Sequence, residues 1–337
     1  MHFETGKLPP EFLERLLTRI PSIDPRVLQG PGIGRDAAVI DMGDRVLVLK
    51  TDPVTLAGER MGWYVVNINA NDVAVSGAEP RWFLCTVLLP QTGSDEGRVE
   101  SLFSEIGDAC QSLGVAWCGG HIEVTSGLDR PLLVGAMAGE AAKERWLSPD
   151  RIRPGDEILL TKGVAVEGTA ILALGRHKEL RAGMPSGLLD RAGRFLDDPG
   201  ISVVREARIV CRGCRPHAMH DPTEGGLATG LWEMARAANL GLRIDASAVP
   251  VFPETEAVCR ILDLDPWGLI ASGALLIALD PSDVPGIRSA LAVEGIPCAT
   301  IGRFLPKEEG MILEMGGKQI PLRPFVRDEL ARIASRP

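Results

Sequence analysis

Apolar positions along the chain switch between helical and strand spacing, and the switches predict its elements. After two prolines, Phe12, Leu13, Leu16, Leu17 and Ile20 form a helical stripe between Leu8 and Ile20, a packing helix ahead of the first domain. Val39-Ile40 and Val46 to Leu49, short and separated by the turn Met42-Gly43-Asp44, read as a hairpin. Val65, Val66, Ile68, Ala70, Val73 and Ala74 mark a helix over Trp63 to Val75, with Gly77 as C-cap. Its body holds Asn67, Asn69, Asn71 and Asp72, residue types that bond locally to backbone and suit helix interiors poorly. Arg81 to Leu89 reads as a strand and Val99 to Leu113 as a helix closed by Gly114. Val115 to Cys118 reads as a short strand ending at the turn Gly119-Gly120-His121-Ile122-Glu123, and Pro131 to Gly139 as another strand.

Ser-Pro-Asp and Arg-Pro-Gly-Asp turns cluster between Ser148 and Gly155, which sets the domain boundary: 1–150 and 151–337. Beyond it come strands at Glu157 to Leu160 and His217 to His220, helices at Gly168 to Leu174 and Val203 to Val210, and a helix from Leu227 to Ala238 ending at Gly241. A helix at Glu254 to Ile261, a strand at Ala274 to Leu279, a helix at Val284 to Val293 and a last strand at Ala299 to Arg303 precede a C-terminal tail. The mixture predicts an α/β (α+β) fold.

Composition narrows the function. With 337 residues, 45% hydrophobic and 24% charged, the chain has the size of about two globular domains. A net charge of −9 without a basic tract argues against nucleic acid, and a single Tyr against base stacking. No apolar run reaches membrane-spanning length, and Met1-His2-Phe3-Glu4 is not a signal peptide. Seven irregularly spaced cysteines suggest reduced thiols and a cytoplasmic location.

Candidate chemistry concentrates at glycine-flanked turns. Gly32-Ile33-Gly34-Arg35-Asp36 runs into the hairpin, whose second strand ends at Lys50-Thr51-Asp52-Pro53. Glycines let amides converge on an anion, and strand-end carboxylates can hold a divalent cation against it; the alternative is an ordinary hairpin behind a flexible loop. Asn71 and Asp72 suit either a ligand or a buried helix–helix hydrogen bond. His121 could be a ligand, a proton carrier or structural. Asp221-Pro222-Thr223-Glu224-Gly225-Gly226 opens a helix whose exposed amides would attract an anion, unless Asp221 or Thr223 simply caps it. Gly163 and Gly168 around Glu167, with Ser272-Gly273, form a weaker set, and Lys50 or Lys162 could steady a phosphoryl group. Cys211, Cys214, His217 and His220 have zinc-like donors, but Arg215-Pro216 breaks any helix, and a strand points the two histidines to opposite faces.

Several of these motifs together resemble the aminoimidazole-ribonucleotide synthetase (PurM-like) superfamily. Gly32-Ile33-Gly34-Arg35-Asp36-Ala37-Ala38, Thr51-Asp52, Asn71-Asp72-Val73-Ala74 with Gly77-Ala78-Glu79-Pro80, and Gly119-Gly120-His121 resemble its first domain. Asp221 to Leu227 and Ala271 to Leu276 resemble its second. The order holds from about Gly30 to Arg303, most similar to the hydrogenase-maturation branch of HypE and AIR synthase-related proteins.

The resemblance implies a two-domain fold whose first domain forms a β-barrel across a homodimer, with the second closing a nucleotide cleft. It implies Mg²⁺ and ATP as cofactors, ATP cleavage to ADP, and phosphorylation of an oxygen of a small-molecule substrate by a dehydratase, ligase or phosphotransferase. Asp36, Asp52 and Asp72 would hold metal; Gly32, Gly34, Asp52, Asn71, Asp72, Gly119, Gly120, Asp221, Thr223, Gly225 and Gly226 would line the nucleotide; Asp36, Lys50 and His121 would serve catalysis. A maturation-factor protein is the implied macromolecular partner. The chain departs from the pattern at Arg35, where a second aspartate is usual, and at His121, where an acid is common. It ends Ala334-Ser335-Arg336-Pro337, without the terminal cysteine that carries a carbamoyl group in the maturation dehydratases. The alternatives are a non-catalytic nucleotide-binding homodimer acting as a maturation scaffold, and a small-molecule kinase like thiamine-monophosphate kinase.

Overall fold

The computed structural model describes residues 6–21, 23–55 and 59–334, divided between two compact units. An N-terminal unit takes 24–30 and 36–146; a C-terminal unit takes the described parts of 1–23, 31–35 and 147–337. Met1 to Glu4 and Ser335 to Pro337, on which the signal-peptide and terminal-cysteine arguments rest, lie outside the described residues.

The first helix, α1 (Pro10–Leu17), clusters with the C-terminal unit and buries none of its residues. This corrects the expectation of a packing helix ahead of the first domain. Its spacing is amphipathic, but its stripe stays at least partly exposed, as at Leu16.

In the N-terminal unit the chain runs β1 (Val27–Gln29), β2 (Ala38–Asp41), β3 (Arg45–Val54), α2 (Met61–Val75), β4 (Glu79–Pro90), α3 (Glu96–Leu113), β5 (Ala116–Thr125) and β6 (Leu132–Ala142). The strands order β1-β2-β3-β6-β4-β5, antiparallel except β4 with β5. The β2–β3 hairpin and the helix over 63–75 form as the periodicity predicts. Helix α2 lies over Val46, Val48, Phe83 and Met137, all buried; sealing such a side chain contributes roughly 1.5–3 kcal/mol. Gly135 on β6 admits this approach, because a Cβ there would sit 2.4 Å from the Asn69 amide nitrogen.

The glycine pair at 119–120 was expected in a turn and instead lies inside β5, paired in register with β4. A Cβ on Gly120, at φ +147°, would come 1.9 Å from the Cys85 carbonyl oxygen. These glycines serve a close strand approach, and His121 and Glu123 follow along the same strand.

The C-terminal unit runs β7 (Glu157–Thr161), α4 (Val166–Gly175), α5 (His177–Leu180), α6 (Ser186–Gly193), α7 (Val204–Gly213), β8 (Ala218–His220), α8 (Gly226–Ala238) and β9 (Gly241–Asp245). It continues through α9 (Pro253–Leu262), β10 (Leu276–Leu279), α10 (Val284–Val293), β11 (Cys298–Leu305), β12 (Met311–Met315), β13 (Lys318–Pro321) and α11 (Glu329–Ala334). Strand order is β13-β12-β9-β11-β7-β10-β8, with β9–β12 the parallel pair. Central β7 and β10 are apolar without alternation because both faces are covered. Three expectations are corrected. Helix α8 closes at left-handed Asn239, and Gly241 begins a strand; β11 is not the last strand; and the tail contains β12, β13 and α11.

Candidate functional site

The polar residues that made α2 an unusual helix are all buried. Asn69 accepts from the Asp52 amide at 2.9 Å, and its own amide donates to the Asp52 and Val65 carbonyls. The side chain thus does for the end of β3 what a neighbouring strand would do. Asn67 donates to the Trp63 carbonyl, and Asn71 is wholly enclosed.

Lys50 alternates onto the same face of β3 as Asp52, toward α2, and its Nζ lies 3.4 Å from Asp52 and 3.3 Å from Asp72. Asp72 is nearly enclosed, whereas the Asp52 side chain keeps 39% of its surface. A buried carboxylate needs such a cation, and the open side of Asp52 leaves oxygen accessible to a ligand. Asp36 is half-buried just before β2. Among the described residues Asp36, Asp52 and Asp72 do not bring three oxygens within 4.8 Å of one another, so this arrangement is a lysine-bridged pair rather than a three-carboxylate centre.

His121 is paired with exposed Glu123 at 3.2 Å. Its register partner is Thr86, whereas Cys85 and Val87 face α2, so His121 and Lys50 occupy opposite faces of the sheet. Within the unit they do not meet. Leu49, Trp82 and Leu84 leave an exposed apolar surface on the face away from α2.

In the C-terminal unit, Gly32 accepts from the Arg35 amide, and Arg35 grips both Asp150 oxygens at 3.0 and 3.1 Å. Gly34 packs against α8, where a Cβ would meet the Glu233 carbonyl at 2.5 Å. The Gly225-Gly226 start of α8 was expected to present exposed amides, yet the chain engages them itself. Gly225 N–H donates to Asp328 at 2.7 Å, Gly226 N–H to the Thr223 carbonyl, and Ala228 N–H to the Trp267 carbonyl. Neither Asp221 nor Thr223 caps the helix; the N-cap is Gly225, at φ +85°. Asp221 is buried at the end of β8.

Asp328 also accepts from the Leu330 amide at 2.7 Å, and burial pushes its carboxyl up to about 6. Glu167, in the first turn of α4, is pushed by burial up to about 7, held down in part by a hydrogen bond from Ser272 and raised further by Asp328. Its Oε2 has no hydrogen-bond partner among the described residues. Sequence reasoning missed Asp328. The available signal was an aspartate just before Glu329-Leu330, the N-cap position of a short last helix.

Lys162 is consumed structurally: buried, it pairs with Glu206 at 2.7 Å and donates to the Gly200 and Ser202 carbonyls. His217 is held by Asp156 at 2.6 Å, and no three of Cys211, Cys214, His217 and His220 converge as metal donors among the described residues. Burial pushes the Cys298 thiol up to about 11, which disfavours its thiolate form.

Comparison with known proteins matches the same two segments. The carbamoyl dehydratase HypE of Rhodobacter capsulatus is 26% identical over 98% of this chain and 96% of its own. The structure of a hydrogenase maturation protein HypE in complex with ATP superposes with TM-score 0.72 at 25% identity, over 94% of this chain and 91% of that one. AaThiL complexed with AMPPCP and TMP shares the fold, with TM-score 0.70 at 19% identity over 92% and 93% of the two chains. Residues 34–141 match AIR synthase related protein, N-terminal domain, and residues 153–313 match AIR synthase related protein, C-terminal domain. With both domains matched in order, the chain belongs to the AIR synthase-related family.

Proposed function

We propose that this chain binds ATP with Mg²⁺ and cleaves it to ADP while activating an oxygen of a small substrate, in the manner of a HypE-like dehydratase. The observation that carries this is the end-to-end likeness to the HypE crystallised with ATP. The Lys50–Asp52–Asp72 arrangement supports it chemically. Its oxygens are hard donors of the kind Mg²⁺ takes, and the metal would supply charge neutralisation at phosphate oxygens. Asp52 and Asp72 would hold that ion, with Asp36 nearby in sequence before β2. Lys50, a compact cation already desolvated by two carboxylates, would turn toward a transferring phosphoryl group.

The apolar face with Leu49, Trp82 and Leu84 supports a homodimer built through this sheet, since such patches mark association surfaces. Seven cysteines without a disulfide suit a reducing, cytoplasmic setting, and no described helix is long and apolar enough to cross a membrane. A neighbouring structure is described as a HypE–HypF complex, which makes a maturation factor the first protein partner to try.

The test is ATP turnover with Mg²⁺ against a panel of amides, thiocarboxamides and phosphate acceptors, separating free phosphate from phosphorylated product. Substrate-dependent ADP with free phosphate is expected. Phosphate retained on a stable product would make the chain a kinase, and ATP binding without turnover would make it a scaffold; either rejects the dehydratase reading.

A further inference from the structure

The C-terminal unit contains a polar cavity, of about 510 Å³, at the end of the sheet where β7 and β8 begin. Arg151, Arg153, Arg215 and His217 line it. Register fixes the location: His217 N–H donates to the Ala278 carbonyl and Glu157 pairs with Leu279, whereas Thr161 and His220 mark the other end of the same strands. One strand length, roughly 15 Å, separates this cavity from the Lys162 end.

Three arginines line this cavity in a chain whose net charge is −9, and the Arg215 charge acts on Arg151. The one carboxylate on the wall, Asp150, is already occupied by Arg35 and by the Ser148 hydroxyl at 2.9 Å. Buried Asp156 accepts from His217 Nδ1 and from the Arg153 amide, so its charge fixes the imidazole and leaves Nε2 as the ring nitrogen still to be used. Asp280, whose charge also interacts with Arg153 and His217, accepts from the Ser282 amide and hydroxyl. Among the described residues no carboxylate comes within 4.0 Å of the Arg153 or Arg215 side chain. Arg151 is partly buried with the Arg215 charge beside it, and both effects disfavour its charged form. Like charges held together in a partly desolvated recess cost free energy that a bound anion would return.

We propose that this cavity is a binding site for a small phosphorylated anion, separate from the nucleotide chemistry proposed above. The volume falls within the range of small-molecule sites and exceeds one phosphate group, so a phosphate-bearing metabolite or a pyrophosphate fits. Guanidinium forks match phosphate oxygens two at a time, and a cluster of them at one recess suits a multiply charged group better than a single carboxylate. The site does not depend on whether the chain cleaves ATP.

The experiment titrates inorganic pyrophosphate by calorimetry into full-length wild type, Lys50→Met, and the double variant Arg151→Gln/Arg215→Gln. Saturable binding to wild type is expected to persist in Lys50→Met and to weaken at least tenfold in the double variant, whose ligand-free melting point should match wild type. Absence of saturable binding to wild type overturns the site, and so does equal affinity in the double variant. Should the double variant fold poorly, Arg215→Gln alone decides: the residue is exposed, so a loss of affinity at unchanged melting point supports the site and unchanged affinity overturns it.

Discussion

Two carboxylate arrangements, one in each unit, solve the same problem in opposite ways. In the N-terminal unit Asp52 and Asp72 share Lys50, and Asp52 remains open to solvent. In the C-terminal unit Asp328 is enclosed with Glu167, accepts backbone amides, and has no cation within ion-pair distance among the described residues. A carboxylate balanced by a mobile cation stays ionised and can exchange that cation for a ligand. One balanced by fixed amides and burial is spent on holding the chain together, and its charge becomes sensitive to pH. Local sequence does not distinguish the two, since the Lys50 partner of Asp72 and the Gly225 partner of Asp328 both lie far from their carboxylates along the chain.

The largest effect should come from breaking the open arrangement. Lys50→Met leaves Asp72 buried without its cation and removes the group proposed to meet phosphate. ADP release should fall by on the order of 100-fold or more, the usual scale for losing a charge-stabilising group. Asp52→Asn, at a more exposed position, should lower turnover with little change in melting point. Turnover within a few-fold of wild type in Lys50→Met would sink the contrast, because the bridge would then be only structural.

The closed arrangement should respond through stability. Asp328→Ala strands the Gly225 and Leu330 amides and should cost about 1–3 kcal/mol in urea unfolding. Glu167 is raised from 4.5 to about 7 and Asp328 from 3.8 to about 6, so the folded state binds these protons more tightly than the unfolded chain. Their contribution is therefore complete below the unfolded values and is lost as pH rises through about 6 and 7. Glu167→Gln, permanently neutral, should flatten that decline; an identical pH slope in wild type and variant would show that Glu167 carries none of it.

How much of this the sequence disclosed follows from how local each cause is. Asn67, Asn69, Asn71 and Asp72 stood out because such residues are expensive inside a helix, and the structure gives Asn69 the Asp52 backbone to bind. The hairpin was legible from two short apolar runs around a turn. Asp328 was not, because it meets Gly225 across 103 residues and no spacing rule links them. Gly119-Gly120 misled for a different reason: glycine punctuates turns and also permits close strand approach, and only the neighbouring β4 backbone shows which. Strands β9 and β13 were missed because Arg243, Lys318 and Gln319 interrupt any apolar run.

The smallest expected effect concerns His121, which the sequence resemblance assigned to catalysis with Asp36 and Lys50. Its contact with Glu123 is exposed on both sides, and even a fully charged surface pair contributes only about 0–1 kcal/mol once solvent and side-chain entropy are counted. It also sits on the opposite face of its sheet from Lys50, so within one unit it cannot exchange a proton with a group held there. His121→Ala should leave the melting point unchanged and turnover within about tenfold of wild type, below the usual contribution of a general acid or base. A loss comparable to that of Lys50→Met would place His121 in the reacting centre. Since its own sheet separates it from Lys50, the second copy of the chain would then have to supply it, which mixing the His121 and Lys50 variants tests directly: restored turnover in the mixture requires a site shared between subunits.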